Sequence, residues 1–94
     1  MEYLRVNVDL AKKVGLTTAA VFSVVGAMIS ARAEAKCPWV LIRLGEVEKQ
    51  SSYLVSQGMA FKALKKLVDE EYLVKKHKGQ DVYYALSSSG KLAI

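Results

Sequence analysis

The spacing of apolar residues changes along the chain, and each spacing predicts a different element. From Tyr3 to Val8, apolar and polar residues alternate, which indicates a short strand or an extended arm. Residues 9–15 begin with an aspartate and end with a glycine, which predicts one or two helical turns. A longer helix follows, with Thr17 or Thr18 as its N-cap, and it ends before Pro38, which disfavours helical geometry in the residue before it.

The predicted helix from Val14 to Ala31 has no charged residue and is apolar around its whole circumference. A helix of this kind is buried on all sides. In a chain of 94 residues this predicts a second apolar surface that another molecule covers, and we expect a homodimer formed through this helix and the N-terminal arm. The segment just reaches the length of a membrane span. Its threonines, serines and glycines favour a buried helix in a soluble domain, so we expect no membrane partner.

The second half of the chain predicts a strand, two helices and the turn between them. An apolar, β-branched segment at residues 39–44 predicts the strand. A short polar helix follows at residues 45–52, with Val47 pointing inward. Ser56 is a good N-cap for a helix over residues 57–71. Residues at helical spacing form the buried side of that helix: Ala60, Ala63, Leu64, Leu67 and Val68.

The last part of the chain predicts a β-hairpin. Two segments, YLVKKHK and VYYALS, are joined at Gly79, which supplies the turn. Alternation within the second segment sends Val82, Tyr84 and Leu86 to one face, so we expect Tyr84 in the core. The Ser-Ser-Gly run at residues 88–90 ends the second strand and leaves a short tail.

Composition narrows the class of protein. Ninety-four residues predict one domain over residues 1–94, and 52% hydrophobic with 24% charged residues is typical of a globular chain. The net charge of +5 favours anionic partners. Cys37 is the single cysteine, so no disulfide or cysteine-based zinc site can form within the chain, which suits the cytoplasm. The first ten residues lack the apolar core of a signal peptide.

No motif in the sequence predicts catalysis. We find no phosphate loop, metal-ligand spacing or nucleophile elbow. Cys37 precedes a proline and the single histidine, His77, lies in a run of lysines, so a nucleophile pair is not indicated. Glu46 and Glu48 point in different directions on a helix. We therefore expect no enzyme, no cofactor and no metal.

Two helices joined by a short turn form a helix-turn-helix, and here a strand precedes the pair and a basic hairpin follows it. Three segments contain this order of elements: WVLIRLGEVEKQ, SQGMAFKALKKLVDEEYLV and KKHKGQDVYYALSSSG. Through these segments the chain resembles the winged helix-turn-helix family of bacterial and phage DNA-binding domains. The resemblance implies an α+β fold with about three helices and a small antiparallel sheet that includes the wing hairpin. The opening VDLAKKVGLTTAAVFSVV is also similar to replication-initiator winged helices of phages and plasmids.

The chain departs from the family pattern in two places. Glu71 stands where the recognition helix often ends with a glycine, the residue that adopts a left-handed conformation most easily. The turn SSYLVS lacks the usual glycine and is long. Either departure bears on how deeply the second helix of the pair enters a groove.

The resemblance implies which residues bind DNA. On the recognition helix they include residues that meet base edges, residues that meet phosphates, and the helix start with its free amides: Ser56, Gln57, Met59, Phe61, Lys62, Lys65 and Lys66. On the wing they are Lys75, Lys76, His77, Lys78 and Gln80.

The distribution of charge supports the same function. Three lysines lie on the predicted recognition helix and three on the hairpin, and each lysine near a phosphate releases condensed counterions. We therefore expect a sequence-specific double-stranded DNA-binding protein, a small transcriptional regulator. Two alternatives stay open. Met59 and Phe61 on the outer side of the helix would suit a protein-interaction module, such as an adaptor or a phage-encoded inhibitor, and the opening segment would suit a replication-initiator DNA-binding domain.

Overall fold

The computed structural model describes residues 6–34 and 36–93. This part of the chain contains five helices and a three-stranded antiparallel sheet, which confirms the α+β class. The elements follow in the order α1 (Val8–Val14), α2 (Leu16–Arg32), β1 (Val40–Leu41), α3 (Leu44–Gln50), α4 (Gln57–Asp69), β2 (Leu73–Lys78), β3 (Asp81–Leu86) and α5 (Ser88–Ala93). The expected number of helices, about three, was too low. No helix in the described residues is long and apolar enough to cross a membrane.

An N-cap at Asp9, the aspartate that opens the predicted segment 9–15, would start the first helix at Leu10, but the helix begins two residues earlier, at Val8. The side chain of Asn7 accepts a hydrogen bond from the backbone N–H of Leu10, so Asn7, and not Asp9, is the N-cap of α1. Gly15 ends the helix with φ +94°, in the region that glycine adopts without strain. The strand or arm predicted from Tyr3 to Val8 lies largely outside the described residues, and Val8 at its end already belongs to α1.

The second helix, α2, forms the centre of the core. It begins at Leu16 without a side-chain cap, so neither Thr17 nor Thr18 is the N-cap. Its neighbours α1, α3, α4 and β3 pack around it. The residues that they bury lie on most sides of the helix: Thr18, Ala19, Ala20, Val21, Phe22, Val24, Val25, Gly26, Met28 and Ile29. Along the remaining side Leu16, Ala27, Ser30 and Ala31 are exposed, so the chain covers only part of the apolar surface of α2, and the expected homodimer stays a prediction.

The turn between α3 and α4 forms without glycine. Ser52 and Tyr53 both adopt left-handed conformations, with φ of 54° and 63°. The buried Ser51 hydroxyl holds this turn, because it donates to the carbonyl oxygen of Glu48 (2.9 Å) and accepts from the N–H of Val55 (3.2 Å). Two consecutive left-handed residues of this kind cost free energy, and the Ser51 hydrogen bonds offset part of that cost.

Helix α4 has the start and the buried side that the sequence predicts. The Ser56 hydroxyl accepts a hydrogen bond from the N–H of Met59 (3.2 Å), which confirms Ser56 as the N-cap. The inward residues are Ala60, Ala63, Leu64 and Leu67, all buried, while Val68 is half-buried. The helix ends at Asp69, and Glu71 adopts the left-handed conformation (φ 64°) in place of the glycine that the family often has there.

The sheet has the strand order β1-β3-β2, so the hairpin formed by β2 and β3 places β3 in the centre. Tyr84 of β3 pairs with Val40 on one side and with Lys75 on the other. Gly79, with φ 64°, makes the hairpin turn as predicted. The first strand covers only Val40–Leu41, because residues 42–43 lead directly into α3.

The segment that the sequence predicted to be a tail forms a helix, α5, which packs against one end of the core. Its Gly90 lies so close to the backbone of Tyr72 that an added Cβ would stand 2.0 Å from the carbonyl oxygen. The same carbonyl accepts a hydrogen bond from the N–H of Ser87 (3.3 Å), and the Ser87 hydroxyl bonds to the carbonyl oxygen of Glu71. These contacts fix the segment after β3 against the segment before β2.

Candidate nucleic-acid interface

The outer side of α4 is exposed along its length and carries three lysines. Because successive residues of a helix are about 100° apart, the buried side of α4 leaves Gly58, Lys62 and Lys65 near the centre of the outer side, and all three are exposed. Phe61 is also exposed, with 60% of its surface accessible. A single exposed apolar residue is ordinary on a protein surface, so Phe61 matters here for its position on the same exposed side of α4 as Lys65.

The predicted recognition residues divide between two sides of α4. Gln57 and Phe61 border a groove between α4 and the hairpin. Met59 lies roughly 160° around the helix from both of them, at 100° per residue, and Lys66 lies beside it on the side away from the hairpin. Gln57 and Met59 therefore cannot contact the same stretch of a partner's surface.

The hairpin residues also divide between two faces. The register pairs Lys75 with the buried Tyr84 and His77 with Val82, so Lys75 and His77 share the face that looks toward α4. Lys76 pairs with Tyr83, and Lys78 pairs with Asp81 at the end of the strand, which places both lysines on the opposite face. Strand alternation therefore separates neighbouring lysines of the wing, and their contact with DNA stays a prediction.

A groove of about 530 Å³ lies between α4 and the inner face of the hairpin, and we call it the α4–hairpin groove. Gln57, Phe61 and Leu64 form its helix side. Lys75, His77 and Gln80 form its hairpin side, and Val82 and Tyr84 are among its floor residues. Desolvation by burial raises the pKa of the Tyr84 phenol above its ordinary value. The core position expected for Tyr84 is confirmed.

The outer face of the hairpin has its own interactions. The Lys76 Nζ stands 5.1 Å from the centroid of the Trp39 ring, a cation–π contact. Near the hairpin turn, Arg43 Nη2 lies 3.8 Å from Asp81 Oδ1, and both residues also line the α4–hairpin groove. Trp39 itself is half-buried, and its contact with Lys76 depends on a strand register that the sequence does not show.

Ion pairing leaves the lysines of the groove available. In residues 6–34 and 36–93, the ion pairs are Arg32–Glu46 (2.8 Å) and Arg43–Asp81 (3.8 Å), and neither involves a lysine. Along the sequence, acidic residues follow the last lysine of α4 at positions 69–71, and Asp81 lines the α4–hairpin groove, where it pairs with Arg43. The same part of the chain has no cluster of His, Cys, Asp or Glu that could hold a metal ion. Within the described residues, the lysines of α4 and the hairpin are therefore exposed and make no ion pair.

The structure brings together part of the set that the sequence predicted. The residues on the α4–hairpin groove are Gln57, Phe61, Lys75, His77 and Gln80, with Lys62 and Lys65 on the adjoining outer side of α4. The residues outside it are Met59, Lys66, Lys76 and Lys78. Comparisons with models of protein families, with curated proteins and with solved structures found no match. The function of this surface is therefore argued from its residues and their geometry.

Proposed function

We propose that the chain is a winged helix-turn-helix protein that binds double-stranded DNA in a sequence-specific manner, as a small cytoplasmic transcriptional regulator. The observation that carries the proposal is the α4–hairpin groove, where an exposed helix and a basic hairpin border one open surface. The major groove of B-DNA is about 12 Å wide and admits one α-helix. With α4 in the major groove, the inner face of the hairpin would lie along the adjacent phosphates.

Electrostatics supports an oriented approach to DNA. Lys62 and Lys65 lie on the outer side of α4, and Lys75 faces the same groove from β2. The acids that follow α4 are at its far end, so they do not oppose phosphates near its first two turns. Each lysine that neutralises a phosphate releases counterions, which makes the affinity fall steeply with salt.

Fluorescence anisotropy with a labelled duplex at several salt concentrations tests the proposal. We expect wild-type affinity to fall with salt, with a log–log slope of about −0.9 for each phosphate contacted. The variant K62A/K65A/K75A should bind more weakly, and its slope should be shallower by up to about 2.7 because three contacts are lost. The three residues are exposed, so thermal unfolding should change little.

A matched control separates an oriented surface from net charge alone. The variant K12A/K13A/K91A removes three exposed lysines from α1 and α5, outside the groove. It lowers the formal net charge by the same three units, from the +5 of the chain. We expect it to keep the wild-type slope. Equal losses in both variants, or a wild-type protein that binds no duplex at low salt, would contradict the proposal.

Exposed apolar side chains favour a second candidate, a protein-interaction module. Tyr53 and Leu54 in the turn before α4 are each 67% exposed, Phe61 is 60% exposed and Met59 is 40% exposed. Apolar groups of this size suit a protein groove as well as a base edge. This function is favoured if the wild-type protein binds no duplex and crosslinks a partner protein that the variant L54A/F61A does not. A replication-initiator role would differ from a regulatory one only in the DNA selected and the proteins recruited.

A further inference from the structure

We infer that Gln57 and Phe61 together recognise an adenine and a thymine in the DNA site. Gln57 hydrogen-bonds to the adenine, and Phe61 contacts the thymine methyl group. The inference rests on the proposed DNA-binding function and adds the bases that its helix would select. The two side chains lie on successive turns of α4 and border the same groove.

The positions of both residues favour contact with a partner over a role in the fold. Phe61 leaves 60% of its surface accessible, so its ring contributes little to the core. Gln57 is exposed at the first position of α4, and its side-chain amide lies over the backbone of Gly45 in α3. A Cβ added at Gly45 would stand 3.8 Å from Gln57 Nε2, an ordinary contact distance. No hydrogen bond or ion pair recorded in residues 6–34 and 36–93 uses the Gln57 amide, which leaves it available to a ligand.

The chemistry of the two side chains matches one kind of base pair. In the major groove, adenine presents an acceptor at N7 beside a donor at N6, and thymine presents a methyl group. A glutamine amide has one carbonyl acceptor and an NH₂ donor, so it pairs with adenine through two hydrogen bonds. Guanine presents two acceptors and would leave the amide oxygen unpaired. A phenylalanine ring has no polar atom and favours the thymine methyl over the other base edges.

The spacing of Gln57 and Phe61 sets how far apart the two bases stand. Four residues of helix advance about 6 Å, and base pairs stack at about 3.4 Å along one strand. A helix that follows the groove would therefore read an adenine and a thymine that stand within about two base pairs of each other.

Gly58 leaves room for this approach. It lies near the centre of the outer side of α4, about 60° around the helix from Phe61 and about 100° from Gln57. Its φ is not positive. An added Cβ there would meet only the Ser56 hydroxyl oxygen, at 4.0 Å, so nothing within the chain requires glycine. Without a side chain at this position, the backbone of α4 can come closer to base edges, within reach of its neighbours' side chains.

The experiment starts from duplexes selected by the wild-type protein from a random pool. We expect the selected core to contain adenine and thymine within about two base pairs. Each thymine is then replaced by deoxyuridine, which lacks the methyl group, and each adenine by 7-deazaadenine, which lacks N7. At one thymine the replacement should weaken wild-type binding about fourfold, the effect of one buried methyl group. At one adenine it should weaken binding about fivefold or more.

Two variants assign each effect to its side chain. In Phe61→Ala the deoxyuridine penalty should disappear while the 7-deazaadenine penalty stays, and in Gln57→Ala the reverse should hold. The control Leu92→Ala truncates another exposed apolar residue, in α5 and outside the groove, and should keep both penalties. A selected core without an A·T pair, or penalties that persist in Phe61→Ala and Gln57→Ala, would overturn the inference and leave DNA binding itself intact. A wild-type protein that binds no duplex would overturn the proposed function instead.

Discussion

Each of the two longest helices carries one phenylalanine, and the two side chains lie in opposite environments. Phe22 of α2 is 2% exposed, and its ring lies 6.0 Å from that of Tyr72, centroid to centroid. Phe61 of α4 is 60% exposed and borders an open groove. These two are the only phenylalanines in the sequence. Because both residues are phenylalanine, the difference lies in their surroundings. Phe22 belongs to a helix that supports the fold, and Phe61 belongs to a helix that can meet a partner.

The difference follows from where each helix carries its charge. Between Leu16 and Ala31, α2 has no charged residue, so other elements can pack on most of its surface. Helix α4 has lysines at positions 62, 65 and 66 and buries only the opposite side. A lysine ammonium group is costly to bury without a partner, and the outer side of α4 therefore stays in water until an anion approaches.

The two phenylalanines provide the largest test of this comparison. We expect Phe22→Ala to lower the free energy of unfolding by about 3–5 kcal/mol, through lost burial and the cavity that remains. Phe61→Ala should change it by no more than about 0.5 kcal/mol, because the ring is mostly exposed. Urea denaturation followed by circular dichroism measures both.

The same pair of variants also separates stability from binding. Under the proposed function, Phe61→Ala should lower duplex affinity while the protein stays folded. A large loss of stability in Phe61→Ala would show that its ring packs in the folded protein, and the division between the two helices would then be wrong.

Two glycines extend the comparison. An alanine Cβ at Gly90 would stand 2.0 Å from the carbonyl oxygen of Tyr72, so backbone must move to admit it. We expect Gly90→Ala to cost about 1–3 kcal/mol of stability, as overpacking does. Gly58→Ala meets open space on the outer side of α4 and should stabilise the fold by up to about 1 kcal/mol, the helical preference for alanine.

Thermal unfolding of the two glycine variants gives opposite shifts if this account is right. Gly58→Ala should in addition weaken duplex binding, because its methyl group stands between α4 and the base edges. A Gly58→Ala protein that is more stable and binds DNA as tightly as wild type would remove the argument for close backbone approach.

Most of the helices and strands could be predicted from local sequence signals, because each signal depends on residues that are close together in the sequence. Ser56 as a cap, Val47 as an inward residue and Gly79 as a hairpin turn are all local, and the structure has them as expected. Contacts between distant segments could not be predicted in this way. The sequence does not show that α1, α3, α4 and β3 pack on α2, and the homodimer expected through this helix stays a prediction. Helix α5 was missed because its six residues include three polar side chains and a glycine.

The lysine-rich segments of the candidate site were found from the sequence, but the arrangement of their side chains in space was not. Lysine-rich runs identified α4 and the hairpin, yet Lys75 and Lys76 are neighbours that face opposite sides of the sheet. Alternation along a strand could have shown this separation. The position of Met59 away from Gln57 follows in the same way from the helical repeat. The groove itself requires the packing of α4 against the hairpin, which no local pattern contains.

The smallest test compares how the two helices begin. Ser56 caps α4 by accepting from the N–H of Met59 (3.2 Å), whereas α2 begins after Gly15 with no side-chain cap. We expect Ser56→Ala to cost about 1 kcal/mol, because one N–H of the first turn loses its partner. Thr17→Ala, exposed in the first turn of α2, should change stability by less than about 0.5 kcal/mol.

Urea denaturation distinguishes these two small effects if both variants are measured beside the wild type. Ser56→Asp provides the matched control, since an aspartate caps as well as a serine and restores the lost acceptor. Its carboxylate would also stand beside the residues proposed to approach DNA. The aspartate variant should therefore keep the stability of the wild type and bind duplex more weakly, because its negative charge repels phosphate. If Ser56→Ala and Ser56→Asp instead lose stability equally, the hydroxyl acts through packing and not as a cap. If Ser56→Asp keeps full duplex affinity, the start of α4 does not lie near phosphate, and α4 would have to meet its partner farther along its length.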